Sequence, residues 1–253
     1  MESMVLNDKL VLGLAGLSIL VHFRYSQFRD FCSKYILPDC DIVDFEVFAT
    51  DAQISEEMAC CSQTEWDAEI LCIYRAIAER LPFYNRFVMH GAAISFEDKA
   101  YIFTAASGTG KSTHIRLWRK ALGSPVKIVN GDKPVIEIKD DGTSLVYGTP
   151  WAGKERWEKN VCFPLGGVCV VNRGTENSIR RLSASSALIP IMHQIYLPKD
   201  AVSAQRQLEL ADRFLQSSPF WSLSCDISFD AVKSSFEAMT ERRFEDYKLE
   251  EDK

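Results

Sequence analysis

The chain has 253 residues, enough to bury a full hydrophobic core as one large domain or as a core with a smaller appendage. Hydrophobic residues make up 47% and charged residues 25%, the balance of an ordered globular protein, which excludes collagen-like, low-complexity and disordered classes. A formal net charge of -6 argues against nucleic acid as a partner, because holding a phosphate backbone needs clustered Lys and Arg.

The apolar run Leu10 to Val21 is too short for a membrane span, which needs about 20 apolar residues, and Gly13 and Gly16 interrupt it. The N-terminus, with Glu2, Asp8 and Lys9, lacks the basic start and small-residue cleavage site of a signal peptide. The run reads as two strands, Leu10 to Leu14 and Leu17 to Phe23, and no membrane is expected. Ile42 to Phe48 alternates as a half-buried strand does. Thr64, with Asp67 three residues on, caps a helix that carries Trp66, Ile70, Ile73 and Ile77 on one face until Pro82. Residues 1–85 hold no catalytic motif and form an N-terminal strand and helix region, suited to choosing a substrate or joining subunits, which leaves a homo-oligomer open.

From Phe87 the pattern changes to short apolar strands followed by polar turns: Phe87 to Met89, Ala92 to Ile94, Ala100 to Phe103 and Val126 to Val129. Val135 to Ile138 and Leu145 to Tyr147 flank the turn Asp140-Asp141-Gly142 and predict a hairpin. Cys169 to Val171 adds a strand, and Ser183 to Glu241 reads as helical, with an acidic, solvated tail after Arg243. The expected fold is α/β with a mixed α+β sheet, residues 86–253 forming a nucleotide-binding domain with C-terminal helices. The eight cysteines lack metal-ligand spacing and read as buried small hydrophobes of a protein of the reducing cytosol.

Ser107-Gly108-Thr109-Gly110-Lys111-Ser112, with Thr113 beyond it, stands between the strand Tyr101 to Phe103 and a helix starting at Ser112. Such a P-loop aims backbone N-H groups at phosphate oxygens, its lysine reaches the β and γ phosphates, and its serine hydroxyl ligates Mg2+. The pattern G-x-x-x-x-G-K-[ST] is met except that Ala105 replaces the first glycine. Gly-Lys-Ser alone arises by chance in roughly one chain in eight of this length, and with Gly108 in about one in a hundred.

Asn130-Gly131-Asp132-Lys133-Pro134 closes the strand Val126 to Val129, so Asp132 sits at a strand's C-terminal edge, where a carboxylate holds hydrated magnesium or accepts a hydroxyl proton. His90, between an apolar strand and Gly91, suits a catalytic and a structural role equally. In the loop Tyr147 to Glu155, Lys154 is placed to stabilise a transferred phosphoryl group and Trp151 to exclude water, the plainer alternative being a surface loop with a core tryptophan.

Taken in order, Met89-His90-Gly91, Ser107 to Ser112, Val129-Asn130-Gly131-Asp132 and a lysine-bearing loop resemble the HPr kinase/phosphorylase family, and Ser107 to Ser112 also resembles the phosphoenolpyruvate carboxykinase loop. The resemblance covers roughly residues 87 to 175 and is more specific to HPr-kinase-like proteins found beside peptide-modification genes or acting on free serine. It implies a P-loop kinase core, ATP and Mg2+ as cofactors, Lys111 and Ser112 on phosphate and metal, Asp132 as metal ligand or base, and His90 near the γ-phosphate. Gly131 stands where that family has the first of two aspartates. HPr itself is not the expected acceptor, since the segment that grips it has no counterpart here, and the carboxykinase reaction is disfavoured by the lack of an oxaloacetate-binding arginine set. The expected function is transfer of the γ-phosphate of ATP to a hydroxyl, that of serine first, in a peptide, protein or small molecule. The alternative is an ATP-binding regulatory or assembly module; a GTPase switch is unsupported, because no Asn-Lys-x-Asp motif follows.

Overall fold

The computed structural model describes residues 8–38, 40–106 and 108–249, so Ser107 and the last residues of the acidic tail lie outside the described residues. The chain opens with a hairpin of β1 (Asp8–Leu14) and β2 (Leu17–Phe23), whose turn holds Ala15 and Gly16 at φ 52° and 75°. Positive φ at both central positions matches the right-handed twist of the flanking strands. The apolar run is therefore two strands, and among the described residues no helix is long and apolar enough to cross a membrane.

A short strand β3 (Phe45–Val47) adds parallel to β2. It covers less than the predicted 42–48 segment, because Ile42 is 80% exposed and Asp44 leaves the strand pattern to bond Ser18 through its backbone N-H and its carboxylate. Helices α1 (Gln27–Phe31), α2 (Asp51–Cys60) and α3 (Glu65–Arg80) follow. The α3 cap is the expected one, the Thr64 hydroxyl accepting from the Asp67 amide at 3.2 Å, and Ile70, Ile73 and Ile77 are buried. The α2 helix was not foreseen, although Thr50 and Gln53 form a complete capping box. Glu69 of α3, fully buried, accepts from the amides of Arg24 and Tyr25 and from the Arg24 guanidinium, and so ties the hairpin to the helix.

The larger sheet is mixed and nine-stranded: β4 (Arg86–Val88), β5 (Ala92–Phe96), β6 (Lys99–Thr104), β7 (Lys127–Asn130), β8 (Val135–Ile138), β9 (Ser144–Tyr147), β10 (Cys162–Arg173), β11 (Ser178–Leu182) and β12 (Phe220–Cys225). The order runs β4-β8-β9-β10-β6-β5-β7, with β12 on β10 and β11 on β12. The β8-β9 hairpin is as predicted. The beginning of β10 pairs antiparallel with β9 and its end pairs parallel with β12, while its register against β6 slips between Leu165 and Gly167. That irregularity lets one strand serve two directions, and the sheet curls there.

Helices α4 (Lys111–Leu122) and α7 (Phe229–Thr240) cover one face, and α5 (Ala184–Met192) and α6 (Ala201–Ser217) the other. Alternation along β6 serves both: Tyr101 and Phe103 join the first core, Ala100 and Ile102 the second. The C-terminal part is not purely helical as expected, since β12 lies between α6 and α7 and pairs with β10 and β11. After Arg243 the acidic Glu245 and Asp246 are exposed as expected, but Phe244 is buried, and Tyr247 packs on Phe96 and Phe236 and bonds Glu97. Four cysteines are buried, but Cys60, Cys61 and Cys162 are exposed and Cys40 is half-buried, so half of them are not core residues.

Candidate functional site

The glycine-rich loop joins β6, the strand beside β5 and β10, to α4. Gly108 and Gly110 take φ 76° and 118°, and a Cβ at either would meet nothing within 4 Å. Glycine is demanded here by the left-handed backbone and not by crowding, and the space beside it is open. Lys111 opens α4 with 9% exposure, its ammonium donating to the Ala105 carbonyl at 3.0 Å. Burial pushes its pKa below the ordinary lysine value, with the charge of Asp132 opposing. Ser112 and Thr113 follow, half-buried, in the first turn.

Asp132 sits just past β7. Its backbone is set by Asn130, whose side-chain oxygen accepts from the amides of Asp132 at 2.9 Å and Lys133 at 2.7 Å, while its amide nitrogen donates to the Thr149 carbonyl at 2.9 Å. The Asp132 carboxylate meets His90 Nε2 at 3.2 Å on one oxygen and Lys133 Nζ at 3.2 Å on the other. Burial works against its ionised form, but the His90 hydrogen bond and the Lys133 charge outweigh burial and hold its pKa below the usual carboxylate value. His90 is fixed from behind: its Nδ1 lies 3.0 Å from Gln194 Oε1, and its amide donates to the Gln194 carbonyl. The Gly91 amide donates to the Asp132 carbonyl at 2.8 Å, which locks the two residues together through the backbone as well.

The loop carrying Lys154 turns over this pair, with the Arg156 amide donating to the Gly153 carbonyl at 3.1 Å. It is pinned to α4 by Glu155, 2.6 Å from Arg116, and by Trp157, whose ring lies 5.1 Å from the Arg116 guanidinium. Lys154 is exposed at the rim. Trp151 does not face the opening: its ring is buried 6.0 Å from Phe31 and 5.4 Å from Tyr74, so it is a core residue and the water-excluding role falls.

His90, Lys111, Ser112, Thr113, Asp132 and Lys154 thus line one cleft of about 550 Å³, together with Gly108 and Gly110. Thr109 lines a neighbouring hollow, where the Arg173 guanidinium donates to the carbonyls of Gly108 at 2.6 Å and Thr109 at 3.3 Å. Ser107 lies outside the described residues. Sequence reasoning missed Asn130, Lys133, Arg116, Arg173 and Gln194. Asn130 carried a signal, as an Asx-turn former beside Gly131. Gln194 carried none, because it reaches His90 only where Met89 bridges to Ile195.

Gly131 has a packing reason of its own. A Cβ there would come within 2.6 Å of the Ala152 carbonyl, so a second carboxylate cannot be accommodated at this position without moving the loop.

The cleft suits a phosphate. The Lys111 ammonium is nearly buried with one carbonyl partner, and an anion would relieve the cost of its burial. Among the described residues no group of three or more His, Cys, Asp or Glu could hold a metal ion by itself. A divalent cation would take the Ser112 hydroxyl and the Asp132 carboxylate and complete its shell with phosphate oxygens and water, as Mg2+ commonly does.

No family model and no curated protein matches this chain. Among solved structures it is similar to the Hpr(Ser) kinase/phosphatase from Coxiella burnetii, at 10% identity and a TM-score of 0.33, over 61% of this chain and 93% of that one. So distant a likeness says nothing of chemistry.

Proposed function

We propose that the protein is an ATP-dependent phosphotransferase of the cytosol that moves the γ-phosphate to a hydroxyl, serine above all, of a peptide, protein or small molecule, with residues 86–253 as the catalytic domain and 1–85 as its appendage. The observation that carries this reading is the meeting of Lys111, Ser112 and the His90-Asp132 pair in one cleft. Bound ATP supplies the phosphoryl group and Mg2+ its charge neutralisation. The loop amides from Gly108 to Gly110 and the Lys111 ammonium hold phosphate oxygens. Ser112 and Asp132 would hold the metal. Asp132, oriented by His90 and Asn130, accepts the acceptor's hydroxyl proton as that oxygen bonds to the γ-phosphorus and ADP leaves. Lys154 meets charge on the transferred group from the rim.

The test is Asp132→Asn with radiolabelled ATP and a panel of serine-bearing acceptors. Transfer should fall by about a hundredfold to ten-thousandfold, the range of general acid-base catalysis, while nucleotide stays bound. A second reading, an ATP-binding regulatory module, draws support from Gly131, whose contact with Ala152 leaves one carboxylate where two would serve. Wild-type protein that binds Mg-ATP yet labels no acceptor would select that module and sink the kinase.

A further inference from the structure

We propose that a basic hollow on the far side of the Lys154 loop docks an acidic, extended peptide segment of the phosphoryl acceptor, an inference that rests on the kinase reading above. The hollow, of about 560 Å³, is lined by Arg119, Lys127, Arg156, Lys159, Trp157 and Glu158, among others. The four cations are exposed, and among the described residues none of them lies in an ion pair. Glu158 is taken by Lys34. In a chain of net charge -6 this is a local inversion of sign, and such a field selects an acidic partner.

The hollow and the candidate cleft share a wall. Lys154 and Glu155 line the cleft, whereas Arg156, held at φ 49° by the turn, lines the hollow. Arg116 of the cleft lies over the ring of Trp157 of the hollow. A segment seated in the hollow therefore has only this turn to cross before its hydroxyl meets Asp132. The floor includes Lys127 and Ile128 of β7, the strand that ends the sheet. Residues 158 and 159 cover that edge at Asn130 and Val129, through an isolated bridge and the Lys159 amide. The edge ahead of them suits an extended chain. Four cations drawn from the end of α4, from β7 and from the loop match several carboxylates along a peptide better than one small anion, which would need them converging.

The full chain should bind a fluorescein-labelled nonapeptide of alternating Glu and Ser, followed by anisotropy, about tenfold or more tightly than the same peptide with Gln for Glu, the worth of a few exposed ion pairs. Arg119→Glu with Lys127→Glu should abolish that preference and leave ATP affinity unchanged, and Arg119→Gln with Lys127→Gln should reduce it. Lys111→Met should bind the peptide normally while its ATP affinity falls roughly tenfold to a hundredfold, so a failed kinase assay and a failed docking assay are told apart. Equal binding of the two peptides, indifference to the charge changes, or equal binding of polyphosphate overturns the proposal. Leu249 borders Gly123 at the rim, and Glu250, Glu251 and Asp252 follow it. Peptide binding that emerges only when those three are changed to Gln would make the chain's own tail the occupant, and overturn the proposal as well.

Discussion

Burial of the Lys111 ammonium beside a single carbonyl partner disfavours its charged form, and the same ammonium is what an entering phosphate would engage. Stability and binding therefore pull in opposite directions at one side chain. Lys111→Met keeps the length and apolar stem and removes the charge. Calorimetric melting should show a Tm equal to or above that of the native chain, whereas titration with ATP should show affinity reduced roughly tenfold to a hundredfold, the value of a charged hydrogen bond of about 1.5–3 kcal/mol. A lowered Tm would mean that the ammonium is structural. At the same scale, the sequence singled out Lys111, Ser112 and Asp132, which line one cleft, because the proposed phosphate and metal chemistry restricts the residue types. It did not reveal that His90 bonds Asp132, because that contact joins segments separated by the whole glycine loop and α4.

Among the elements, α4 matters most, since its first turn forms the floor of the cleft and its buried face anchors the domain. Just inside that turn is His114, its Nε2 3.0 Å from Ser235 Oγ of α7, with the Trp118 indole donating to both. Burial pushes its pKa down to about 4. The unfolded chain, with histidine near 6.5, binds the proton more readily, so stability is unaffected by this group above about pH 6.5 and falls as pH drops from there towards 4, by about 3 kcal/mol in all. Urea unfolding across that window should show the slope, and His114→Gln should flatten it. An unchanged slope in the variant would assign the acid sensitivity elsewhere. Element by element, legibility followed local cause: the Thr64 cap, the β8-β9 turn and the strand-loop-helix around Gly110 were all written within a few residues. The strand β12 was not, since its six residues lie between two helices and their strand character depends on β10 and β11, which flank them.

Over the whole molecule, the N-terminal sheet and helices share a core with residues that precede and follow the glycine-rich loop. Val88, Val135 and Trp151 belong to the cluster built from the hairpin, α2 and α3, and Arg86 donates to the Ala15 carbonyl at 2.7 Å while pairing with Glu137. Separating the two regions would expose those side chains, each worth roughly 1.5–3 kcal/mol when fully buried. Residues 86–253 expressed alone should accordingly lose the near-ultraviolet circular dichroism of a packed Trp151 and unfold without a sharp transition. A cooperative melt like that of the full chain would show that the appendage is dispensable.

By itself the sequence determined the glycine-rich loop between strand and helix, the aspartate after the following strand and the mixed α/β character, because each follows from residue chemistry or periodicity acting over a short span. Only the tertiary structure decided that Trp151 is core, that Gly131 is held against Ala152, and that His90, Lys111, Ser112, Asp132 and Lys154 line a single cleft. Those facts depend on which distant segments the curled sheet brings into van der Waals contact, and no local pattern encodes that choice.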